Sequence, residues 1–394
     1  MARSVVIVEG VRTAIGDFGG SLRDVAPTAL GATVAKEALS RAGVAPEDVG
    51  HTVFGNVIHT EPRDMYLARV AAMDAGIPKE VPALTLNRLC GSGLQAIVSA
   101  AQTIMLEDAE IAVAGGAESM SRSPHAVQSA RWGQKMGDTQ FVDMMLGALN
   151  DPFGNGHMGV TAENVASTYQ ISRDTQDSFA LESHHRAGRA AAEGRFKDQI
   201  VPYELKTRKG TVTFDTDEHV RPDVTPEDLG KLRPVFKKDG SVTAGNASGI
   251  NDAAAVVVLM SEDEAEKRGL TPMARIIGYG HAGVEPERMG LGPIPAVQKL
   301  MDRHGLTVSD FDVVESNEAF AAQACAVSQD LGFGSDQVNP NGGAIALGHP
   351  VGASGTIITV KLLHELKRVG GKKGLATMCI GGGQGIALAV ETMQ

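Results

Sequence analysis

Three residues in glycine-rich settings carry the chemistry that this sequence can offer. Cys90 stands in NRLCGSGLQA, His349 in NPNGGAIALGHPVGASG and Cys379 in TMCIGGGQG. The chain has 3 cysteines in all, too few for a disulfide framework. Cys90 is placed to open the helix SGLQAIVSAAQTI, where free N–H groups and the helix dipole favour a thiolate. Gly91 and Gly93 let a substrate approach. The pattern reads as a nucleophile, against the plainer reading of a small buried cysteine. His349 sits before Pro350 in a fixed loop. It can take a thiol proton or donate to an oxyanion, or it can merely cap the next helix. Cys379 ends an apolar run and precedes Gly381, Gly382 and Gly383. Such a thiol can act as acid and base near a carbon, beside backbone N–H groups left free by the glycines. Asn317 opens NEAFAAQACAV. Its amide can hold a water or polarise a carbonyl, or serve as a helix N-cap. Cys325, among alanines of the following helix, reads as core.

Elements that could position these residues are visible as apolar runs. Residues 4–8, 52–57, 111–114, 256–260, 274–278, 313–315, 375–378 and 386–390 read as strands. Residues 28–42, 92–106 and 355–369 read as helices. Alternation of the two predicts an α/β chain. The two ends also resemble each other. CGSG and GHPVGASG each open a helix followed by a strand, and Asn56 and Asn317 each end a strand. Duplicated halves account for this. The intervening segment differs in character. It holds the only tryptophan, Trp132, and a small positive excess around Lys206, Arg208, Arg221 and Lys237. An insertion of this kind suits ligand or subunit contacts.

Bulk composition sets the outer limits. With 394 residues, 43% hydrophobic and 21% charged, the chain can bury sizeable cores. A net charge of −11 argues against nucleic-acid or general membrane partners. No apolar run approaches the ~20 residues of a membrane span, and the opening MARSVVIVEG reads as a strand rather than a targeting segment. A cytoplasmic protein is expected. No cysteine or histidine spacing resembles a zinc site, so no metal is expected, and no glycine run follows the dinucleotide fingerprint GxGxxG after the first strand. His184 and His185 read as a solvated helix face. His157 and Met158 precede a helix, where Met is either an acyl-chain wall or ordinary core.

Over its whole length the sequence resembles the thiolase family, most closely bacterial acetyl-CoA acetyltransferases and broad-range β-ketothiolases. The resemblance rests on NRLCGSG at 87–93, TAGNASGINDAAA at 243–255, NEAF at 317–320, GHP at 348–350 and CIGGGQG at 379–385. It implies a five-layered α-β-α-β-α thiolase fold of two similar halves with an inserted loop domain. Residues 1–118 with 250–270 would form the first half, 119–249 the insertion and 271–394 the second half. It also implies a homotetramer and a reversible thioester Claisen condensation between acetyl-CoA and a short acyl-CoA.

In that chemistry Cys90 takes the acyl group, His349 activates it and Cys379 moves the α-proton. His349 with a water on Asn317 forms one oxyanion hole, and the N–H groups of Cys90 and Gly381 form the other. By family position Arg221 meets the adenine end of CoA, Ser248 the pantetheine arm and His157 its thioester end. Leu89, Met158, Phe236, Met289, Ala319 and Phe320 surround the acyl and pantetheine region. CoA is then substrate and product, and no cofactor is needed. Met378 stands where acetoacetyl-specific relatives often carry leucine, which counts against strict four-carbon specificity. Together with the likeness of EPRDMYLARVAA and DMMLGALNDPF to broad-range β-ketothiolases it implies four- to six-carbon β-ketoacyl-CoAs. Competing readings are a ketoacyl synthase-like condensing enzyme, a non-catalytic acyl-CoA-binding protein and a redox switch between Cys90 and Cys379.

Overall fold

The computed structural model describes residues 3–393. Its principal strands are β1 (Val5–Thr13), β2 (His51–Gly55), β3 (Ala83–Leu86), β4 (Ile111–Ser119), β5 (Asn251–Ser261), β6 (Ala274–Gly283), β7 (Val313–Ser316), β8 (Lys373–Ile380) and β9 (Gln384–Thr392). Its principal helices are α1 (Pro27–Ala42), α2 (Leu67–Asp74), α3 (Ser92–Met105), α4 (Met158–Tyr169), α5 (Arg173–Ala192), α6 (Pro293–His304), α7 (Ala321–Leu331) and α8 (Ser354–Val369). Every run read as a strand or helix from sequence overlaps one of these.

Hydrogen bonding runs through the strands in the order β7-β8-β9-β6-β1-β5-β4-β2-β3. The two halves join where β1 meets β6, at Val6 opposite Arg275 and Ile7 opposite Ala274. Side-chain alternation then builds the layers. Val6 and Val8 of β1 face α1 and α2, with Leu30, Val34, Leu39 and Leu67 packed on them. Val5 and Ile7 face the other way, into a core shared by Ile97 and Ile104 of α3 and Val360 and Leu363 of α8. The same core receives Ala376, Met378 and Ile380 of β8 and Ile386 and Leu388 of β9 from the second half. Val297 and Leu300 of α6 and Val327 of α7 cover the far side of that half. The sequence of layers is therefore helix, sheet, helix, sheet, helix. α3 and α8 are sandwiched between two sheet surfaces, which explains why α8 is buried around most of its circumference, its polar Thr356, Thr359 and Lys361 included.

Between Ser119 and Asn251 the chain leaves the sheet and returns to it. This excursion carries α4, α5 and the hairpin Tyr203–Thr207 with Gly210–Phe214. A buried ion pair fastens it to the first half: Arg12 of β1 donates two bonds to Asp217, at 2.7 and 2.9 Å. Among the described residues no helix is long and apolar enough to cross a membrane.

Candidate active site

Cys90 lies in the link from β3 to α3, two residues before the helix begins at Ser92. Local hydrogen bonds build a tight turn there. Asn87 accepts from the Leu89 N–H at 2.8 Å, and Ser92 Oγ accepts from the Arg88 N–H at 2.8 Å. Leu89 is held at φ +46°, a left-handed conformation uncommon for a leucine. Gly93 allows α3 to press against α8: a Cβ there would lie 2.7 Å from the Thr356 backbone nitrogen.

The N–H groups of Gly381 and of Cys90 itself point at the Cys90 sulfur. These favour the thiolate, but desolvation outweighs them and the charge of Glu118 opposes it further. The thiol is pushed up to about 11. This corrects the expectation of a thiol acidified by its helix. A helix terminus supplies typically about 0.3–1 kcal/mol, too little to offset removal of a thiolate from water. Cys379, 1% exposed at the end of β8, is raised more strongly by burial and by the neighbouring Cys90.

His349 borders the same cavity as Cys90. Its Nδ1 lies 2.6 Å from Ser354 Oγ, and that hydroxyl is 2.9 Å from the Pro350 carbonyl. A carbonyl only accepts, so the serine donates to it and must accept from Nδ1–H. The imidazole proton is thereby placed on Nδ1, and Nε2 keeps its lone pair with no protein partner. Burial pushes the imidazole down to about 4. At neutral pH the site therefore holds a neutral thiol and a neutral imidazole, ready for transfer but not yet ionised. Ser354→Ala should release the tautomer. We expect kcat to fall roughly 10- to 100-fold, part of the 10²–10⁴-fold that a placed general base supplies, with KM little changed. Steady-state thiolysis kinetics measure it, and wild-type kcat would refute the tautomer argument.

A cavity of ≈480 Å³ gathers Cys90, His349, Cys379 and Gly381 with Leu89, His157, Met158, Arg221, Phe236, Ser248, Met289, Ala319 and Phe320. Asn317 is the exception. It is 2% exposed and borders a separate cavity of ≈10 Å³, beside Ser354 and Lys361. That volume suits about one water, and the amide Nδ2 has no protein partner. Asn317 is not a helix cap either, since α7 starts at Ala321 with Phe320 as its cap.

The walls of the large cavity are built by packing of the insertion on the second half. His157 stacks on Phe236, with ring centroids 4.6 Å apart, and Phe236 meets Phe320 edge-on at 6.3 Å. His157 Nδ1 accepts from the Gly159 N–H and caps α4. Arg221 donates its backbone N–H to His184 at 3.2 Å. His184 is thus a buried structural residue, pushed down to about 4, and not the solvated face expected from sequence. His185 alone of that pair is exposed.

A second correction concerns Met378. Strand alternation sends Cys379 into the cavity and Met378, 0% exposed, into the core shared with α3 and α8. It does not border the cavity, so the argument for a wider acyl range from Met378 loses its basis. Cys325, expected in the core, is half-buried on a cavity beside α5.

Other residues of the site were not foreseen from sequence. Asp17 and His219 border the cavity as a pair 2.8 Å apart. Asn251 accepts from the His349 N–H at 2.9 Å. Ser354 stands within the quoted glycine-rich run, where its spacing from His349 was the available signal. Among the described residues no group of three or more His, Cys, Asp or Glu side chains is arranged to hold a metal ion.

Comparison with known proteins agrees with this architecture. The family models "Thiolase, N-terminal domain" and "Thiolase, C-terminal domain" match residues 5–263 and 270–392. Beta-ketothiolase BktB of Cupriavidus necator is 66% identical over 392 residues, spanning 99% of this chain and 100% of that protein. An acetyl-CoA acetyltransferase of Chromobacterium violaceum is 54% identical over 389 residues, spanning 98% and 99%. The crystal structure of human mitochondrial 3-ketoacyl-CoA thiolase has a TM-score of 0.97 at 48% identity, covering 99% of each chain. The same enzyme in complex with CoA also gives 0.97, at 47% identity and full coverage of both chains. With both family models spanning nearly all of its length and a fold shared with solved thiolases, the chain belongs to the thiolase family.

Proposed function

We propose that the protein is an acyl-CoA:acetyl-CoA C-acyltransferase. It joins acetyl-CoA to acetyl-CoA or a short acyl-CoA, giving a 3-ketoacyl-CoA and CoA, and runs the reverse thiolysis. One observation carries this reading: two thiols and an imidazole with a bare Nε2 share one largely apolar cavity.

The chemistry follows from those protonation states. Cys90 passes its proton to His349 Nε2 as the sulfur attacks the thioester carbonyl. The resulting oxyanion is received by the N–H groups of Cys90 and Gly381. CoA departs as its thiolate, takes the proton of the Cys379 thiol and leaves acyl-Cys90, dividing the carbon–carbon step in two. A second acetyl-CoA then loses an α-proton to the Cys379 thiolate so formed. Its enolate oxygen is stabilised by Nε2–H of the imidazolium and by a water on Asn317, and its carbon attacks the acyl group, breaking the C–S bond to Cys90, whose sulfur takes back the Nε2 proton. Only protein groups and the two thioesters take part, so CoA is substrate and product and no cofactor is invoked.

Binding is assigned on the same basis. Arg221 serves the adenine end, Ser248 the pantetheine arm, and His157 the thioester end. Leu89, Met158, Phe236, Met289, Ala319 and Phe320 wall the arm and acyl group. The complex of human mitochondrial 3-ketoacyl-CoA thiolase with CoA supports a CoA ligand. A homotetramer would cover exposed apolar side chains of the insertion, where Trp132, Met136 and Phe141 are 84%, 89% and 71% exposed.

The test is CoA-dependent cleavage of acetoacetyl-CoA, 3-ketovaleryl-CoA and 3-ketohexanoyl-CoA, with Cys90→Ala as control. Cleavage of all three, lost in the variant, is expected. Cleavage of acetoacetyl-CoA alone would narrow the activity to acetyl-CoA acetyltransferase. A folded protein that cleaves none would overturn the proposal.

A further inference from the structure

The internal repeat places a second polar centre opposite the catalytic one. In the first half, Gly55 of β2 is in register with Gly116 of β4, and Asn56 follows β2. In the second half, Ser316 of β7 is in register with Thr377 of β8, and Asn317 follows β7. Two residues beyond each register partner stand Glu118 and Cys379. The middle-layer helices obey the same relation. Cys90 lies two residues before α3, and Gly352 two residues before α8. Each half thus sends one side chain to the loop that opens the other half's helix. Cys379 shares the cavity with Cys90. Glu118 accepts from the Gly352 N–H at 2.8 Å.

Glu118 is fully buried, and no cation pairs with it among the described residues. Four donors surround it instead. Oε2 accepts from the N–H groups of Val57 and Gly352, at 3.0 and 2.8 Å. Oε1 accepts from the Ile58 N–H and from Asn56 Nδ2, each at 3.1 Å. Nothing there accepts a carboxyl proton, so the geometry fits the ionised form. Burial raises the group, the N–H donors of Ile58, Val57 and Gly352 offset part of this and the Asp64 carboxylate adds a little, leaving it at about 8. A buried charge held only by hydrogen bonds is costly, and its contacts are all to loops bordering the reaction. The Gly352 backbone comes close: a Cβ there would lie 2.4 Å from Oε2.

We propose that Glu118 is a positioning residue of the reaction: its carboxylate ties the His349–Gly352 loop of the second half to the Asn56–Ile58 turn of the first, and so holds His349 on the wall it shares with Cys90. Asn251 pins the same loop at the His349 N–H. The inference rests on the function proposed above.

Glu118→Gln keeps the size and removes the charge, while Glu118→Asp keeps the charge and shortens the reach. Both should lower kcat for thiolysis by roughly tenfold or more, within the range of a misplaced general base, with KM for CoA within about twofold. The pH profile of Cys90 alkylation by iodoacetamide separates positioning from simple loss of structure. Glu118 opposes the Cys90 thiolate, so the midpoint should move to lower pH in Glu118→Gln and stay in Glu118→Asp. Wild-type kcat in either variant overturns the proposal, and so does a kcat loss in Glu118→Gln with an unmoved alkylation profile. Should Glu118→Gln not fold, Glu118→Asp decides alone: lowered kcat at constant KM supports the role, and a parallel rise in KM refutes it. A wild-type protein inactive on every ketoacyl-CoA would instead sink the function, with the alkylation profile still reporting on Glu118.

Discussion

Cys379→Ala is expected to yield an enzyme that accepts an acyl group but cannot make or break the carbon–carbon bond. Cys90, His349 and the N–H groups of Cys90 and Gly381 remain in place, so acylation of Cys90 by acetyl-CoA should proceed. The thiol that exchanges the α-proton is gone. General acid–base groups supply roughly 10²- to 10⁴-fold, and condensation and thiolysis should fall by at least that range. Incubation with radiolabelled acetyl-CoA, followed by denaturation, should leave label on the protein. Absence of label would mean that acylation cannot proceed without the proton that Cys379 gives to the departing CoA. Retention of thiolysis near the wild-type rate would remove it from the mechanism. The side chain is small and buried, so the cavity left is modest and the fold should survive.

The second large effect is expected at His349. With Cys90 pushed up to about 11 and His349 down to about 4, neither group is charged at pH 7. In the proposed mechanism the thiol reacts at that pH because Nε2 receives its proton during attack. His349→Ala should therefore reduce thiolysis by roughly 10³-fold, the scale on which a nucleophile depends on its base. Alkylation of Cys90 by iodoacetamide should lose its rate at neutral pH and recover only on the alkaline side, as the free thiolate forms. The wild-type profile has a matching signature. The base works while His349 is neutral, and its folded value is depressed. Its function is present above that value and lost as pH falls through it. The acidic limb of kcat/KM should then lie well below the ordinary imidazole value near 6.5. A limb near 6.5 would show a better-solvated histidine than the structure holds.

The two predictions turn on features of different legibility. Cys90, His349 and Cys379 could be picked from the chain because their glycine-rich surroundings are local, and a nucleophile, a base and a second thiol have few substitutes. The strands could be read because β-branched and aliphatic runs must bury themselves wherever they lie. β3 was missed. Its residues Ala83–Leu86 are half-buried or exposed at the sheet edge, where burial imposes little pattern. Likewise His184 gave no local sign that the backbone of Arg221, from a different segment, would close over it.

What the sequence by itself determined is the inventory: which residue types can do chemistry, the α/β alternation and the family. These depend on residue type and on patterns a few residues long. The tertiary structure decided how the residues behave. Desolvation, not the helix terminus, sets the Cys90 thiol, and Ser354 selects the nitrogen of His349 that stays bare. Alternation along β8 turns Met378 away from the substrate and Cys379 toward it. Asn317 lies behind the main cavity, and Glu118 crosses from one half to hold the loop of the other. Each is a matter of solvent exclusion or of contact between segments far apart in the chain, and such quantities exist only once the layers have packed.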